Sequence, residues 1–293
     1  MNSDGDKISN FTARDIVIPM RKADCHKGNF GKVCILAGSP NYPGAGYLAL
    51  RAARAALCAG AGYAKLCVAE SLWQAYAARV ESEILATLPD KDGELLPDFS
   101  AIDDAITGAS AVVAGPGLSG AYVKEIILHL IQTLNVPLVL DAGALNVLAD
   151  DETPFAGAKD VIISPHLGEF SRLIKKPISQ INPEHDAVSY ATSQGITVHL
   201  KGNASITAYP DGRAVVTREG TPALAKAGSG DVLSGIIGAT LAMGISEPVP
   251  TAAVIHGLAA RLAEERYGQY GVLSADVIEQ IACSVSRLKS VNE

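Results

Sequence analysis

The run KAGSGDVLSG, residues 226–235, places a carboxylate after small residues and before an apolar stretch. Glycines allow neighbouring main-chain amides to point into one concavity, and a helix amino terminus adds a positive partial charge. We expect the amides of Gly228, Ser229 and Gly230 to form an anion hole for phosphoryl oxygens. Asp231 would then be the general base for an attacking hydroxyl in phosphoryl transfer. The alternative is an aspartate that only caps a helix after a glycine turn.

A second polar run, KGNAS, occupies residues 201–205 between two short β-type stretches. Lys201 could neutralise charge, and Asn203 and Ser205 could contact the phosphates or ribose of a nucleotide. Taken alone, the run is better explained as an ordinary β-turn.

Two glycine-containing loops also follow predicted strands. Residues 115–120 (GPGLSG) match GxGxxG, but Pro116 and the position of the run well inside the chain are unusual for a dinucleotide-binding turn. We interpret these glycines as points of close backbone approach to a ligand. Residues 39–46 (SPNYPGAG) suit either substrate binding or a tight connection from strand to helix.

Polar side chains stand after two further strands. Asp141, in DAGALN, could hold a metal ion through water or cap the following helix. His166 and Glu169, in HLGE, are expected near the same edge, although a single histidine is more often structural than catalytic. We expect the remaining histidines to lie on solvated surface.

Short β-type runs alternate with helical stretches, a pattern typical of a mostly parallel α/β sheet covered on both faces. Functional loops of such sheets lie at the carboxyl ends of the strands. Residues 210–212 indicate a hairpin turn, and residues 88–97 and 175–183 are predicted to be surface loops. Strands are predicted at 32–37, 64–69, 110–114, 136–140, 160–163, 197–200, 205–209 and 214–217, and helices at 47–58, 122–134, 169–174, 231–243 and 250–267.

Composition limits the possible partners. The 293 residues are 48% hydrophobic with a net charge of −7, and no basic cluster suggests nucleic-acid binding. The first twenty residues lack the apolar core of a signal peptide, and no apolar run reaches the roughly 18 residues of a membrane span. Five cysteines without a CxxC pair favour reduced, buried thiols. We therefore expect a cytoplasmic protein that acts on small molecules, without nucleic-acid or membrane partners.

The ordered set of runs KVCILAGSPNYPGAG, VVAGPGL, LVLDAGALN, ISPHLGE, KGNAS and AGSGDVLSG resembles the NAD(P)H-hydrate dehydratase family of the ribokinase-like superfamily. The resemblance implies one ribokinase-like domain over residues 1–293, a three-layer α/β/α fold with a mostly parallel central sheet. It also implies ADP-dependent, or alternatively ATP-dependent, dehydration of the S-epimer of hydrated NADH or NADPH. AMP and phosphate would be released from ADP, usually with Mg²⁺, and a homotetramer is typical.

The resemblance also implies roles for particular residues. Hydrate-substrate contacts would be Ala45, Gly117, His166 and Asp231. Nucleotide contacts would be Lys201, Gly202, Asn203, Ala204, Ser205 and Gly230. The sequence departs from the family where an Asn-Pro-like pair is usual, since residues 220–223 read GTPA. Because many relatives carry an additional epimerase domain, the length of this chain favours the stand-alone form.

Three other interpretations remain at this point. A small-molecule kinase of the same superfamily would share the GSGD run and accumulate a stable phosphate ester. A redox enzyme would use GPGLSG as a cofactor turn. A nucleotide-sensing module would bind without turnover, although it would not need an intact GSGD run.

Overall fold

Strands and helices alternate along the part of the chain that the computed structural model describes, residues 8–39 and 43–291, with the backbone alone described at 43–46, 48 and 289–291. The strands are β1 (Ile8–Asn10), β2 (Lys32–Leu36), β3 (Tyr63–Ala69), β4 (Ile84–Leu88), β5 (Asp90–Lys91), β6 (Glu94–Leu95), β7 (Ala111–Ala114), β8 (Leu138–Leu140), β9 (Val161–Ile163), β10 (Thr197–Leu200), β11 (Ser205–Ala208) and β12 (Ala214–Thr217). The helices are α1 (Pro43–Ala59), α2 (Trp73–Ala77), α3 (Phe99–Ile106), α4 (Val123–Thr133), α5 (Gly143–Leu148), α6 (Leu167–Leu173), α7 (Pro183–Gln194), α8 (Ser229–Ala242), α9 (Pro248–Tyr267) and α10 (Ser274–Val291).

Ten of these strands form one sheet in the order β1-β12-β11-β10-β9-β8-β7-β2-β3-β4. Every pairing is parallel except the two made by β11, which runs antiparallel to β10 and β12. The carboxyl ends of β10, β9, β8, β7 and β2 therefore stand in a row at one edge. That row brings together loops that are far apart in the sequence.

Each face of the sheet packs against its own layer of helices. In β2, Val33 and Ile35 belong to one hydrophobic core, while Cys34 and Leu36 belong to the other. The first core includes α1, α8, α9 and α10, and the second includes α3 to α7. Alternate side chains of a strand point to opposite faces, so apolar runs such as KVCIL are what a sheet buried on both sides requires.

Helix α8 lies very close to α1. A Cβ added at Gly235 would stand 2.0 Å from the carbonyl oxygen of Ala52. Only glycine permits this backbone approach, and the buried alanines of α1 allow it along the rest of the contact. The contact fixes α8 against the sheet and therefore fixes where its amino end lies.

The expected fold class is confirmed, with corrections in detail. Residues 88–97, predicted as a surface loop, contain the end of β4 and the small hairpin β5–β6. Asp90 stabilises this hairpin, because its carboxylate accepts hydrogen bonds from the amides of Ser71 and Gly93 at 2.9 and 2.7 Å. Hydrogen bonds from backbone amides to a side chain leave no periodic pattern in the sequence, so the pattern did not predict this hairpin.

The cysteines are free thiols, as expected, but they are not all buried. Cys34 and Cys67 lie in the sheet, and burial raises the pKa of Cys67 to about 12. Cys25 and Cys283 are exposed, so the expectation of buried thiols is wrong for these two.

We expect Gly235→Ala to destabilise the protein, because overpacking typically costs ~1–3 kcal/mol and exceeds the roughly 1 kcal/mol gained in helix propensity. The thermal midpoint should fall by several degrees, since about 2–4 °C accompanies each kcal/mol in a chain of this size. Gly238→Ala is the control, because its added Cβ would meet side-chain carbons of Val33 and Val113 at 2.9 Å, not backbone. A Gly235→Ala midpoint equal to or above that of the wild type would contradict this account of the contact.

Candidate active site

The amino end of α8 carries the GSGD run. Gly228 precedes the helix with φ +89°, a left-handed conformation that favours glycine, and no side chain caps the helix. The first amides of a helix have no acceptor within it, so this end can receive an anion. One detail differs from the expected anion hole, because the Ser229 amide donates to the carbonyl of Lys226 at 3.3 Å. The helix begins at Ser229, two residues before its predicted start at Asp231.

Asp231 lies in the first turn of α8 and is half-buried. Burial, together with the negative charge of Asp141, raises the pKa of its carboxyl to about 6. The positive charge of Lys201 lowers this pKa, but by less than Asp141 raises it. Near pH 7 the group is therefore mostly ionised but more basic than an ordinary aspartate. A base with a pKa near the working pH is well suited to accept a proton from a hydroxyl.

A buried polar network ties this helix to the sheet. Asp141 follows β8 and is 2% exposed. One carboxylate oxygen accepts from Lys201 Nζ at 2.7 Å and from the Ala142 amide at 2.8 Å, and the other accepts from Ser234 Oγ at 2.6 Å. The possibility that Asp141 caps the following helix is wrong, because Ala142 is the residue before α5 and no side chain caps that helix.

Lys201 reaches from the end of β10 to the GSGD turn. A Cβ added at Gly230 would stand 3.3 Å from Lys201 Nζ and 3.6 Å from the carboxylate of Asp141. The ammonium is also 3.9 Å from Glu169. The structure thus brings three separate runs of the sequence, around residues 141, 201 and 230, to one point.

A cleft of about 760 Å³ opens beside that point. Most of the predicted nucleotide contacts line it, and Ala204 is the exception because it packs against a hydrophobic core. The lining residues are His166, Lys201, Gly202, Asn203, Ser205, Gly220, Thr221, Pro222, Leu224, Ala225, Lys226, Ser229, Gly230, Leu233 and His256.

The segment that departs from the family pattern forms one wall of this cleft. Thr221 caps a short 3₁₀ helix, Pro222–Leu224, by accepting from the Ala223 amide at 3.2 Å. Its hydroxyl also donates to Glu264 of α9. The threonine therefore gives this wall a defined conformation without the usual asparagine.

The histidines near the cleft differ from one another. His166 caps α6, since its Nδ1 accepts from the amides of Gly168 and Glu169, and its exposed ring lines the cleft. His256 is 5% exposed and its Nε2 lies 3.5 Å from Ser229 Oγ. Burial lowers the pKa of His256 to about 4 and that of fully buried His199 to about 3. The expectation of solvated surface histidines is wrong for these two, which are neutral at physiological pH.

The two glycine loops meet on the other side of Asp141. A Cβ at Gly115 would stand 1.8 Å from the Asp141 carbonyl oxygen. Gly115 therefore makes room for the backbone of Asp141, whereas the expected neighbour was a ligand. Gly117 has φ +66°, and Ser119 donates to Ser39 at 2.7 Å. Ala45 lies in the first turn of α1. Residues 40–42 of the first loop fall outside the described residues.

A divalent ion fits this site only if bound phosphate groups supply part of its ligands. Within residues 8–39 and 43–291, no group of three or more His, Cys, Asp or Glu is arranged to hold a metal. Both oxygens of Asp141 already accept protein hydrogen bonds. Mg²⁺ keeps several waters and is commonly held by substrate phosphates with one or two carboxylates. Glu169 is a second carboxylate near Lys201, but its Oε2 already accepts from the His166 amide at 2.8 Å.

None of the described helices is long and apolar enough to span a bilayer.

Comparisons with known proteins agree with this geometry. The sequence model for NAD(P)H-hydrate dehydratase matches residues 33–282. The bifunctional NAD(P)H-hydrate repair enzyme of Moorella thermoacetica is 34% identical over 271 residues, which cover 89% of this chain and 50% of that protein. The ADP-dependent (S)-NAD(P)H-hydrate dehydratase of Neisseria meningitidis is 33% identical over 270 residues, covering 89% of this chain and 87% of that protein. The chain thus spans about half the length of the bifunctional relatives that it matches.

A solved structure shows the same likeness. The ADP/ATP-dependent NAD(P)H-hydrate dehydratase of Bacillus subtilis, co-crystallised with ATP and Mg²⁺, aligns with a TM-score of 0.80 at 27% identity and covers 96% of this chain and 98% of that one. The ribokinase-like fold implied by the resemblance is therefore confirmed. On the evidence of the family match and these relatives, the chain belongs to the NAD(P)H-hydrate dehydratase family.

Proposed function

We propose that this chain dehydrates the S-epimer of hydrated NADH or NADPH, using ADP or alternatively ATP as phosphoryl donor and restoring the reduced dinucleotide. One observation carries the proposal. Asp231, with a pKa raised to about 6, stands at the uncapped amino end of α8, whose first residues line the 760 Å³ cleft. A base, an anion-binding turn and a nucleotide-sized cleft thus adjoin one another.

The cleft supports a nucleotide whose terminal phosphate points at α8. Lys201 Nζ, close to Gly230, would neutralise phosphate charge, and the polar groups of Asn203 and Ser205 would contact the ribose or the remaining phosphates. The partial positive charge of the helix end adds to this attraction. Mg²⁺ bound to the phosphates, with Glu169 nearby, would supply further neutralisation of the transferred group.

We propose that the hydrated ring contacts Ala45 and Gly117 on the other side of Asp231, and that it contacts His166, whose ring lines the cleft, on the cleft side. Asp231 accepts the proton of the ring hydroxyl while that oxygen attacks the terminal phosphorus, and the bond to the leaving nucleotide breaks. With ADP, AMP departs. The ring nitrogen lone pair then expels the phosphate from the carbon, and loss of a proton from the adjacent carbon restores the dihydronicotinamide.

This sequence of steps explains why a kinase-like site would catalyse a dehydration. Hydroxide is a poor leaving group, whereas a phosphate ester leaves readily. Family resemblance further supports a cytoplasmic homotetramer whose partners are these small molecules.

The direct test offers hydrated NADH with ADP or with ATP and follows the absorbance of the restored dihydronicotinamide. We expect recovery with stoichiometric release of inorganic phosphate, and Asp231→Asn should reduce kcat by about 10²-fold or more, the usual contribution of a general base. The thermal midpoint of the variant should not fall, because the substitution removes a buried charge. Accumulation of a stable phosphate ester would indicate a kinase, and an Asp231→Asn variant with nearly normal kcat would exclude this base.

The rate should also depend on pH through Asp231. Only the ionised carboxylate can accept the proton, so activity should rise with pH through about 6 and level off above it. Asp141→Asn removes a negative charge that raises the pKa of Asp231, so the midpoint should move to lower pH in that variant. A midpoint that stays in place in Asp141→Asn would assign the titration to another group, such as the nucleotide.

Lys201 should matter for stability as well as for binding. Lys201→Met leaves the carboxylate of Asp141 buried without its cation, and breaking such a pair typically costs about 3–5 kcal/mol. The double variant with Asp141→Asn should recover much of this loss in unfolding measurements. The control Arg213→Met breaks exposed pairs with Asp211 and Glu247 and should cost about 1 kcal/mol or less. Equal losses for Lys201→Met and Arg213→Met would show that the buried pair is not structural.

A further inference from the structure

Two guanidinium groups contact one tyrosine ring beside the first glycine loop. Arg51 Cζ lies 4.5 Å and Arg79 Cζ 4.9 Å from the ring centroid of Tyr47. Tyr47 and Arg51 belong to α1, and Arg79 follows α2. The ring is 39% exposed, so the arrangement forms an accessible surface and not a packed core.

These two cations are not neutralised by the described part of the protein. No carboxylate among the described residues lies within 4.0 Å of Arg51 or Arg79. Arg51 donates to the hydroxyl of Ser274, and its Nε is buried without a hydrogen-bond partner there. Arg54, three residues further along α1, differs because it pairs with Glu81 and Glu83. Two guanidinium groups that lack an ion-pair partner and lie around one ring attract an anion to this surface.

Two adjoining cavities give an anion access to this surface. One, of about 550 Å³, extends from Ser39 to Arg79, and the other, of about 290 Å³, includes Arg51 together with the ion pair of Arg54 and Glu81. They share Tyr47, Leu50 and Arg79. Because Ser39 follows β2 and bonds to Ser119, the larger cavity lies at the same sheet edge as the GPGLSG loop.

The surface lies on the opposite side of Asp231 from the nucleotide cleft. The cleft is at β10 and beyond, whereas the cavities lie beyond β2 and β3, with β7, β8 and β9 in between. Asp231 is near Asp141 of β8, and it is also close enough to Arg51 for that cation to lower the pKa of its carboxyl. A substrate ring held at Asp231 would have its attached phosphates within reach of these cavities.

We propose that Arg51 and Arg79, which both contact the ring of Tyr47, bind a phosphate group of the dinucleotide substrate. This inference rests on the proposed function. Guanidinium groups present paired donors that match phosphate oxygens, and an arginine held by an aromatic ring loses little freedom on binding. The phosphate is either in the diphosphate bridge, present in both substrates, or the 2′-phosphate, present only in the NADPH form.

Arg79→Ala is the sharpest test, because the side chain of Arg79 is exposed and its removal leaves no buried group unpaired. KM for the hydrated dinucleotide should rise about tenfold to a hundredfold, the usual loss for a charge-assisted hydrogen bond. KM for ADP and kcat at saturation should stay within about twofold, since this contact binds ground state and transition state equally. Arg79→Lys should retain part of the affinity. The control Arg213→Ala removes an arginine that also contacts a tyrosine but is paired with Asp211 and Glu247.

A comparison of the NADH and NADPH hydrates identifies which phosphate group is bound. A rise in KM for both hydrates assigns the diphosphate bridge, and a rise for the NADPH hydrate alone assigns the 2′-phosphate. Unchanged KM for both, with an active wild type, would overturn this inference and leave the proposed function intact. If the wild type turns over neither hydrate, calorimetry with NADPH decides separately: weaker binding to Arg79→Ala than to Arg213→Ala supports the phosphate site, and equal binding overturns it.

Discussion

The buried ion pair between Asp141 and Lys201 holds the site together. Asp141 follows β8 and Lys201 follows β10. One oxygen of the Asp141 carboxylate accepts from Lys201, and the other accepts from Ser234 of α8. One side chain thus joins two strands to the helix whose amino end carries Gly230 and Asp231. Because both charges are largely removed from water, the pair costs desolvation energy and tolerates little displacement. It therefore fixes the distance between the strand edge and the helix end.

The same network sets the charge around Asp231. Asp231 is close to Asp141, which disfavours its ionisation, and to Lys201, which favours it, while burial has the largest effect. His256, which lines the cleft, and the fully buried His199 are neutral and therefore add no positive charge there. The protein thus keeps one carboxylate permanently paired and leaves a second one basic. Two nearby aspartates acquire different chemistry because their surroundings differ.

The mostly parallel sheet, a helix that begins within the GSGD run and several of the residues that line the cleft could be predicted from the sequence. Glycine runs and apolar strands are local signals, and they fall at the carboxyl edge as α/β folds require. The pairing of Asp141 with Lys201 could not be predicted, because the two residues are 60 positions apart and either one alone has an ordinary explanation. The burial of His256 was likewise not predicted, although its place within an alanine-rich helix is a signal of burial. The GPGLSG run shows the reverse error, since Gly115 makes room for the backbone of Asp141 and not for a cofactor.

The most direct measurement is a crystal structure of the protein with ADP, Mg²⁺ and NADPH, a combination that cannot react. The terminal phosphate should lie within hydrogen-bond distance of the Gly228 and Gly230 amides and of Lys201 Nζ. The carboxylate of Asp231 should lie between that phosphate and C6 of the nicotinamide. A nucleotide bound with its phosphates away from α8, or a nicotinamide ring remote from Asp231, would contradict the account.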